Sequence, residues 1–445
     1  MSFARYPSYK DSGVEWLGEV PGHWEVRRLK QACHVFPSNV DKKSHDGETS
    51  VLLCNYTDVY YNEKITAGMG FMAATASTDQ IAKFTLRAGD TIITKDSETA
   101  DDIAIGAYVP ADLPGVVCGY HLSMIRPMRH TDGAFVKRLF DAVYVKSCVA
   151  VRANGLTRVG LGQYEIDNLD LPFPPLPEQT QIAAFLDRET AKIDALVAEQ
   201  RRLMDLLREK RQAVISHAVT RGLNPDAPMK PSGIGWLGDV PAHWDVCLLK
   251  RAFQAVDYGI SDSLEPEGAI AILRMGNIQN GKVVTDDLKY IDSVDPNLLL
   301  RPSDLLYNRT NSLDLIGKVG MFIGSDTPVS FASYLVRLRT AKESLPAYFA
   351  YLLNTEGILG LARANAFVAI GQCNLNPTRY GQITVAIPPL TEQILIVEHL
   401  DVEFAQLDAL TTEAQRAIAL LQERRTALIS AAVTVTGQID VRGTA

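Results

Sequence analysis

Two histidines stand directly before tryptophans, as His23-Trp24 and His243-Trp244, and are the first candidates for chemistry. An imidazole can bind a metal ion, but a metal site needs further ligands at suitable spacing. Neither histidine has a His or Cys partner at such spacing. We therefore predict a structural role, in which each tryptophan anchors the start of a folded module.

Candidates for a nucleophile are equally incomplete. Ser97, Ser123 and Cys118 lie near His121 in the sequence, but no catalytic triad with a defined order accompanies them. The sequence has no GxxxxGK[ST] loop and no GxGxxG after a strand. The diproline at 174–175 lacks the polar and aromatic flanking residues of amino-methyltransferase motifs. We expect that the chain alone catalyses nothing and has no metal or cofactor of its own.

Composition places the chain among globular proteins of two to four domains. It has 445 residues, 47% of them hydrophobic, and a formal net charge of −8. The sequence contains no run of 18 apolar residues, so no membrane span is expected. Residues 1–6 show no secretory signal. The six cysteines include no CxxC pair, so we expect a reducing, cytoplasmic location. The negative charge argues mildly against a protein that binds nucleic acid by itself.

The elements that would position any site occur twice. SGVEWLGEVPGHW at 12–24 returns as SGIGWLGDVPAHW at 232–244. PPLPEQ at 174–179 returns as PPLTEQ at 388–393, and each copy continues into a long helical pattern. The order is therefore module, helix, module, helix. A duplicated binder with a helical spacer suits a target made of two separated parts.

We predict four segments from this order. Residues 1–173 and 226–387 form two α/β modules, with short β-type runs such as Ile92–Thr94 and Leu305–Tyr307. Residues 174–225 and 388–445 form helical regions. The first helix spans 177–220 without glycine or internal proline, a length of roughly 66 Å at 1.5 Å per residue.

A heptad pattern in both helices predicts a coiled coil. The seam residues are Leu186, Ile193, Leu196, Leu203, Leu207, Val214, Leu400, Leu407, Leu410, Leu421 and Leu428. The alternative is that each helix packs on its own module.

Charge placement predicts the orientation of the helices. Glu189 and Glu403 occupy equivalent positions in the two copies, as do Lys210 and Arg424. Parallel pairing in register would bring like charges together, which is destabilising. Antiparallel pairing would instead bring Glu189 near Arg424 and Lys210 near Glu403. We therefore predict an antiparallel pair with a pseudo-twofold repeat that holds the two modules apart, an α+β fold.

These repeated segments resemble the specificity subunit of type I restriction–modification systems. The likeness rests on the paired SGxxWLGxVPxHW, PPLxEQ and LLxE[KR]RxAxIS segments, in the family's order. It implies a noncatalytic DNA reader whose two target-recognition domains each read half of a bipartite, asymmetric site. It also implies partners: two methyltransferase subunits docked on the helices and two restriction subunits. S-adenosylmethionine, ATP and Mg would bind only to those partners.

Two pairs of segments are candidate DNA contacts under this resemblance. Tyr307-Asn308-Arg309-Thr310-Asn311-Ser312 resembles a motif common in the family's recognition domains, and the 214-residue offset maps it onto 93–98. Arginine can pair with guanine and asparagine with adenine. The second pair is 152–158 and 363–374, rich in glycine and amides. The candidates are Thr94, Lys95, Ser97, Arg152, Asn154, Arg158, Asn308, Arg309, Thr310, Asn311, Gln372 and Asn374.

Alternatives remain open for these segments. Arg309 and Asn311 could cap a turn, and the loop at 152–158 could simply lead into the helix. Asp96 and nearby acids would repel phosphate from Lys95. A scaffold that binds only proteins, with two β-rich modules on a coiled coil, would explain the acidic charge. The half-site sequences and the spacer length cannot be predicted.

Overall fold

The computed structural model describes residues 6–279, 281–369 and 371–434. The amino-terminal residues examined for a signal and the 435–445 tail of the second helical region lie outside this part. The described chain divides into two compact units. Unit 1 takes residues up to Gln200 and from Gln415 onward, and unit 2 runs from Arg201 to Ala414. The predicted four-segment division stays a prediction, since the unit boundaries fall inside the long helices.

Unit 1 contains short strands and helices followed by one end of each long helix. The strands are β1 (Tyr9–Asp11), β2 (Glu19–Pro21), β3 (Glu25–Arg28), β4 (Cys33–Pro37), β5 (Thr49–Cys54), β6 (Met72–Ala76), β7 (Thr91–Thr94), β8 (Asp96–Ser97), β9 (Gly106–Tyr108), β10 (Val116–Cys118), β11 (Leu122–Pro127), β12 (Val159–Gly160) and β13 (Asp170–Phe173). The helices are α1 (Tyr56–Tyr60), α2 (Thr78–Phe84), α3 (Gly133–Asp141), α4 (Val143–Arg152), α5 (Gln163–Asp167) and α6 (Leu176–Arg221), which continues into unit 2.

Unit 2 also contains short strands and helices together with part of each long helix. Its strands are β14 (Met229–Pro231), β15 (Asp239–Pro241), β16 (Asp245–Leu248), β17 (Phe253–Tyr258), β18 (Ile270–Leu273), β19 (Ile278–Gln279), β20 (Lys282–Val283), β21 (Lys289–Ile291), β22 (Leu305–Asn308), β23 (Thr310–Asn311), β24 (Val319–Met321), β25 (Val329–Phe331), β26 (Leu335–Thr340), β27 (Phe367–Ala369), β28 (Gln372–Asn374) and β29 (Thr384–Ile387). The helices are α7 (Pro346–Leu353), α8 (Glu356–Asn365), α9 (Pro377–Gly381) and α10 (Leu390–Thr434).

The sheets repeat from unit to unit although their sequences diverge. The order β4-β11-β7-β9 in unit 1 returns as β17-β26-β22-β24 in unit 2, where β20 and β19 extend it. The order β10-β5-β6 returns as β25-β18-β21, with one parallel pair in each. The mixed fold with two long helices, predicted from the repeats, is confirmed. One detail differs: the sequence pattern from Phe135 to Val149 predicts one short amphipathic helix, whereas the chain is broken at Ala142 into α3 and α4.

The repeated sequence segments form the same clasp in each unit. In unit 1, the Glu178 carboxylate accepts hydrogen bonds from Trp24 Nε1 at 3.2 Å and lies 2.8 Å from His23 Nε2. In unit 2, the Glu392 carboxylate accepts a hydrogen bond from Trp244 Nε1 at 3.1 Å. Its carboxylate also lies 2.7 Å from His243 Nε2. The two HW pairs therefore tie each module to the first turn of its long helix, as their predicted structural role requires.

The glutamine beside each clasp glutamate is fully buried and joins the helix to the module. Gln179 Oε1 accepts from the Asp132 backbone N–H at 2.8 Å, and its Nε2 donates to Pro174 O at 2.8 Å. Gln393 does the same with Leu345 N and Pro388 O. These bonds fix the start of α3 and of α7. They also show that Asp132 and Leu345 are equivalent positions.

Within each unit the two long helices run antiparallel. In unit 1, Arg425 pairs with Asp194 at 3.1 Å, while the later residue Val433 shares a core with the earlier residue Leu186. In unit 2, Arg211 pairs with Asp408. Gly222, at the carboxyl end of α6, faces Glu392 near the start of α10. The predicted orientation is confirmed.

The ion pairs observed between the helices are not the pairs that the charge placement predicts. Glu189 pairs with Lys192 at 2.9 Å on its own helix, and not with Arg424. The ion pairs between the helices are Asp194–Arg425 and Arg211–Asp408. The 214-residue offset relates these two pairs to each other, so the pseudo-twofold pattern of contacts survives with other residues.

The heptad frame is correct for part of the seam and wrong for three positions. Leu186, Ile193, Leu207, Leu400 and Leu407 are buried, and Val214, Leu421 and Leu428 are half-buried. Leu196, Leu203 and Leu410 are instead 52%, 39% and 52% exposed.

An 11-residue repeat accounts for the difference. Ile182, Ile193 and Ile215 are buried with half-buried Met204 between them, and all four are spaced by 11 residues. Eleven residues in three turns lie near the period of a straight α-helix, whereas a heptad drifts by about 20° per repeat. Neither this helix nor any other in the described residues is long and apolar enough to cross a membrane.

Candidate nucleic-acid interface

The two candidate segments of unit 1 meet at a short antiparallel pair of strands. β8 pairs with β12, with Ser97 opposite Val159 and Asp96 opposite Gly160. The Leu161 backbone N–H donates to Lys95 O at 2.8 Å. The turn between Asn154 and Gly160 closes at Gly155, where an added Cβ would lie 1.8 Å from Arg158 O. Only glycine fits there, so the glycine of this loop has a geometric purpose.

Asp96 is held between two basic groups in this surface. Its carboxylate lies 2.7 Å from His121 Nδ1 and 3.0 Å from an Arg158 guanidinium nitrogen. Arg158 is otherwise exposed. The acid that was expected to repel phosphate from Lys95 is thus already paired. The surface offers a carboxylate acceptor and a guanidinium donor side by side.

Lys95 points toward the side of this surface that carries Tyr120. Its Nζ donates to Ser38 O at 2.9 Å and lies 4.4 Å from the centre of the Tyr120 ring. Partial burial lowers the pKa of Lys95 below its usual value, while the nearby Asp96 opposes that shift. Tyr120 itself is half exposed.

Thr94 and Ser97 are buried and do not present their hydroxyls to solvent. Thr94 Oγ1 accepts from the Ile105 backbone N–H at 3.1 Å, so this hydroxyl satisfies the fold of the loop. Arg152 and Asn154 also bond locally. Arg152 donates to Cys148 O at 3.3 Å, and Asn154 Nδ2 donates to Arg152 O at 2.9 Å. Thr94, Ser97, Arg152 and Asn154 thus have the surroundings expected of residues that stabilise the fold of their own segments.

Unit 2 brings its two candidate segments together in the equivalent way. β23 pairs with β28, with Thr310 opposite Asn374 and Asn311 opposite Cys373. Asn374 Nδ2 donates to Thr310 Oγ1 at 3.3 Å. The strands border an open cavity of about 540 Å³. Its lining is rich in amides and includes Thr310, Asn365, Phe367, Gln372, Asn374 and Arg379.

Arg309 takes the position that Lys95 has in unit 1. Its guanidinium donates to Ser333 O at 3.1 Å and lies over the Tyr258 ring at 5.0 Å. Both cations therefore lie over a tyrosine ring, and the face of the ring attracts the positive charge. A cation in this position keeps part of its surface free. Asn308 is buried, and among the described residues its Oδ1 has no hydrogen-bond partner. Gln372 is exposed and Asn311 half-buried.

Sequence reasoning missed the aromatic part of both surfaces. Tyr120 and Tyr258 support the cations, and Phe367 is 70% exposed at the cavity of unit 2. Arg379 follows β28 and lines the same cavity. Interleaved aromatic and basic residues are typical of nucleic-acid surfaces, but these residues are distant in sequence from the loops that they support.

Comparisons with known proteins show similarity to type I restriction enzyme specificity subunits. The family described as the type I restriction modification DNA specificity domain matches residues 21–202. The type I restriction enzyme EcoKI specificity subunit of Escherichia coli K12 is 24% identical over 315 residues, which cover 68% of this chain. The chain spans 65% of that relative's length. A putative MjaX specificity subunit of Methanocaldococcus jannaschii is 22% identical and covers 86% of this chain and 87% of the relative.

Solved structures show the same fold. A chain from a study of complex assembly and conformational transition of the type I R-M system has a TM-score of 0.72 at 17% identity, covering 93% of this chain and 98% of its own. The HsdS subunit of Thermoanaerobacter tengcongensis has a TM-score of 0.53 at 18% identity, covering 93% and 97%. Residues 21–202 thus match the type I restriction modification DNA specificity domain, and the chain shares its fold with these two solved structures.

Proposed function

We propose that this chain is the DNA specificity subunit of a type I restriction–modification complex. One observation carries the proposal. In each unit, two polar segments about 60 residues apart in sequence meet in one short antiparallel sheet, with a cation resting on a tyrosine beside it. The matching family domain and the relatives named as specificity subunits support it.

Each unit would read one half of a bipartite site. The first surface offers Lys95, Asp96 and Arg158, and the second offers Arg309, Asn311, Gln372 and Asn374. A carboxylate accepts from cytosine, arginine and lysine donate to guanine, and amides pair with adenine. Because the two sets differ, we infer two different half-sites, and thus an asymmetric target.

The negative charge of the chain fits a reader that works with partners. Phosphate contacts supply most of the nonspecific affinity for DNA, and a chain with net charge −8 has few cations to spare. We infer that two methyltransferase subunits clamp the duplex and provide these contacts. S-adenosylmethionine would bind to them, and ATP and Mg to two restriction subunits where these are present. The complex would act in the cytoplasm.

The exposed side of the long helices suits the docking of these partners. Leu196, Leu203 and Leu410 lie on α6 and α10 with large exposed fractions. A docked methyltransferase subunit would cover these apolar side chains and remove them from water. We infer further that the helices set the gap between the half-sites, so four residues added to one helix would lengthen it by about 6 Å.

A mobility-shift experiment tests the proposal. The chain alone should bind DNA weakly and with little sequence preference. With a methyltransferase subunit it should bind one sequence tightly, and the affinity should fall steeply as salt rises. Tight specific binding by the isolated chain would contradict the role given to the partners.

The acidic charge also favours a second candidate, a scaffold that binds only proteins. The same experiment separates the two. If no DNA is retarded with or without the methyltransferase subunit, the scaffold replaces the DNA reader as the better account.

A further inference from the structure

Eight charged side chains of unit 1 form one continuous network, here called the junction network. Arg138 of α3 lies at its centre, with nitrogen atoms 2.7 Å from Asp187 and 3.0 Å from both Asp141 and Glu63. The members come from the loop after α1, from α3 and from both long helices. They are Glu63, Lys64, Lys137, Arg138, Asp141, Asp187, Asp194 and Arg425.

The two bases of α3 are buried and depend on these partners. The side chains of Lys137 and Arg138 are only 3% and 5% exposed. A buried cation that loses its carboxylate partner is costly, because neither water nor another acid replaces it. Four acids and four bases make up the network, so its charges balance.

Glu63 is the acid that joins the parts. It contacts Lys137 and Arg138 of α3, and its other oxygen lies 2.6 Å from Arg425 of α10. Arg425 in turn pairs with Asp194 of α6 at 3.1 Å. A single carboxylate thereby connects the module with α10 directly and with α6 through one further contact.

The backbone at Glu63 leads to the candidate DNA surface. The Tyr108 N–H of β9 donates to Glu63 O at 3.0 Å, and the Ile65 N–H donates to Tyr108 O at 2.9 Å. β9 pairs with β7, which ends at Thr94, next to Lys95. A short series of backbone hydrogen bonds thus runs from the junction network to the edge that carries Lys95 and Asp96.

Unit 2 attaches its module to the long helices through other contacts. The position equivalent to Arg138 holds Tyr351, whose hydroxyl donates to Asp401 at 2.6 Å. Asp401 corresponds to Asp187 under the 214-residue offset. Arg211, the counterpart of Arg425, lies 4.1 Å from the centre of the Phe404 ring. Tyr351 here stands at the position of Arg138 and Phe404 at that of Thr190, while Arg211 keeps its ion pair with Asp408.

We propose that Glu63 is a positioning residue for the first half-site. It fixes the β7–β9 edge of the first module against the two long helices, and so sets the orientation in which Lys95, Asp96 and Arg158 meet DNA. The second module does not use it. This inference rests on the proposed function, since it assigns a half-site to each unit.

The test uses the chain in complex with its methyltransferase subunit. Affinity is measured for the methylated sequence and for duplexes altered in one half-site at a time. Glu63→Gln and Arg425→Gln should each lower discrimination at the first half-site by about fivefold, with the second unchanged, as expected for a coupling network. Glu63→Asp, which keeps the carboxylate, should stay within about twofold of the wild type. Arg211→Gln is the matched control and should leave the first half-site unchanged.

Two outcomes would overturn the proposal. One is an equal loss at both half-sites, and the other is no loss in Glu63→Gln. Hydrogen exchange in the same complexes gives a second measurement. The amides of 61–65 should exchange faster in Glu63→Gln and Arg425→Gln, and unchanged exchange contradicts the coupling. If the wild-type complex distinguishes no sequence, the proposed function fails, while exchange still decides whether Glu63 couples the module to the helices.

Discussion

Units 1 and 2 share a frame but differ in what they attach to it. The clasps at Glu178 and Glu392 share a histidine and a tryptophan partner at nearly the same distances, and Glu178 also accepts from the Tyr6 hydroxyl. Away from them, unit 1 is attached through charges around Arg138, and unit 2 through Tyr351 and Phe404. The candidate surfaces differ as well. The comparison teaches that buried bonds at helix starts can keep a duplicated fold while the rest of each copy changes.

The clasp tryptophans should give the largest effects on stability. Trp24 and Trp244 are each 1% exposed. Replacing either with alanine leaves a cavity and should lower the free energy of unfolding by about 3–5 kcal/mol. Urea unfolding followed by circular dichroism measures this. The control is Trp16→Ala, since Trp16 is 57% exposed, and a cost as large as that of Trp24→Ala would show that burial does not explain the clasp.

The attachments of α3 and α7 should differ in cost. Arg138→Met removes a buried cation with three acidic partners and should destabilise unit 1 by about 3 kcal/mol. Tyr351→Phe loses one hydrogen bond to Asp401 and should cost about 1 kcal/mol. The same urea measurement applies. Equal costs would remove the distinction between an attachment through a network of ion pairs and one through a single hydrogen bond.

Single loop residues should alter one half-site each. Arg309→Ala or Gln372→Ala should reduce discrimination at the second half-site by about 1–3 kcal/mol, and Arg158→Ala should do so at the first. Competition binding with singly altered duplexes measures both in the methyltransferase complex. A variant that weakens both half-sites equally would speak for phosphate contacts rather than base reading.

Acid should remove the stabilising effect of the junction network between about pH 4.5 and about pH 2. Although partial burial raises it, the pKa of Glu63 falls from 4.5 to about 2 beside Lys137, Arg138 and Arg425. A carboxylate whose pKa is lower in the folded than in the unfolded state stabilises the fold at pH values above its unfolded-state pKa. This stabilisation is lost as the pH falls toward the folded-state pKa. The stability difference between wild type and Glu63→Gln should therefore be constant from about pH 6 to about pH 8.

Below pH 4.5 the same difference should shrink as the pH approaches about 2. Urea unfolding at a series of pH values follows it. A difference that changes instead around neutral pH would assign the effect to a histidine and not to Glu63.

Much of the frame could be predicted because its causes are local. The repeated motifs mark the helix starts, and opposite charges at offset positions favour antiparallel helices. The seam was less predictable, because heptad and 11-residue spacing agree at Leu186 and Ile193 and diverge at Leu196. The aromatic supports Tyr120 and Tyr258 could not be found from the loops. Their positions depend on strand pairing between segments that are distant in sequence.

The candidate DNA residues show the same limit. Arg158, Arg309 and Gln372 keep exposed or partly exposed polar groups, whereas Thr94, Ser97 and Asn308 are buried. Residue type suggested hydrogen bonding in all six. Whether the bond goes to the chain itself or outward is decided by neighbours such as the Ile105 N–H, which donates to the Thr94 hydroxyl oxygen.

Methylation sequencing of DNA modified by this chain together with its methyltransferase subunit distinguishes two different half-sites from one continuous site. Methylated adenines should lie within two different short sequences separated by a gap of constant length. Arg309→Ala should relax only one of these sequences. A single uninterrupted sequence, or two identical halves, would contradict two different readers on one repeated frame.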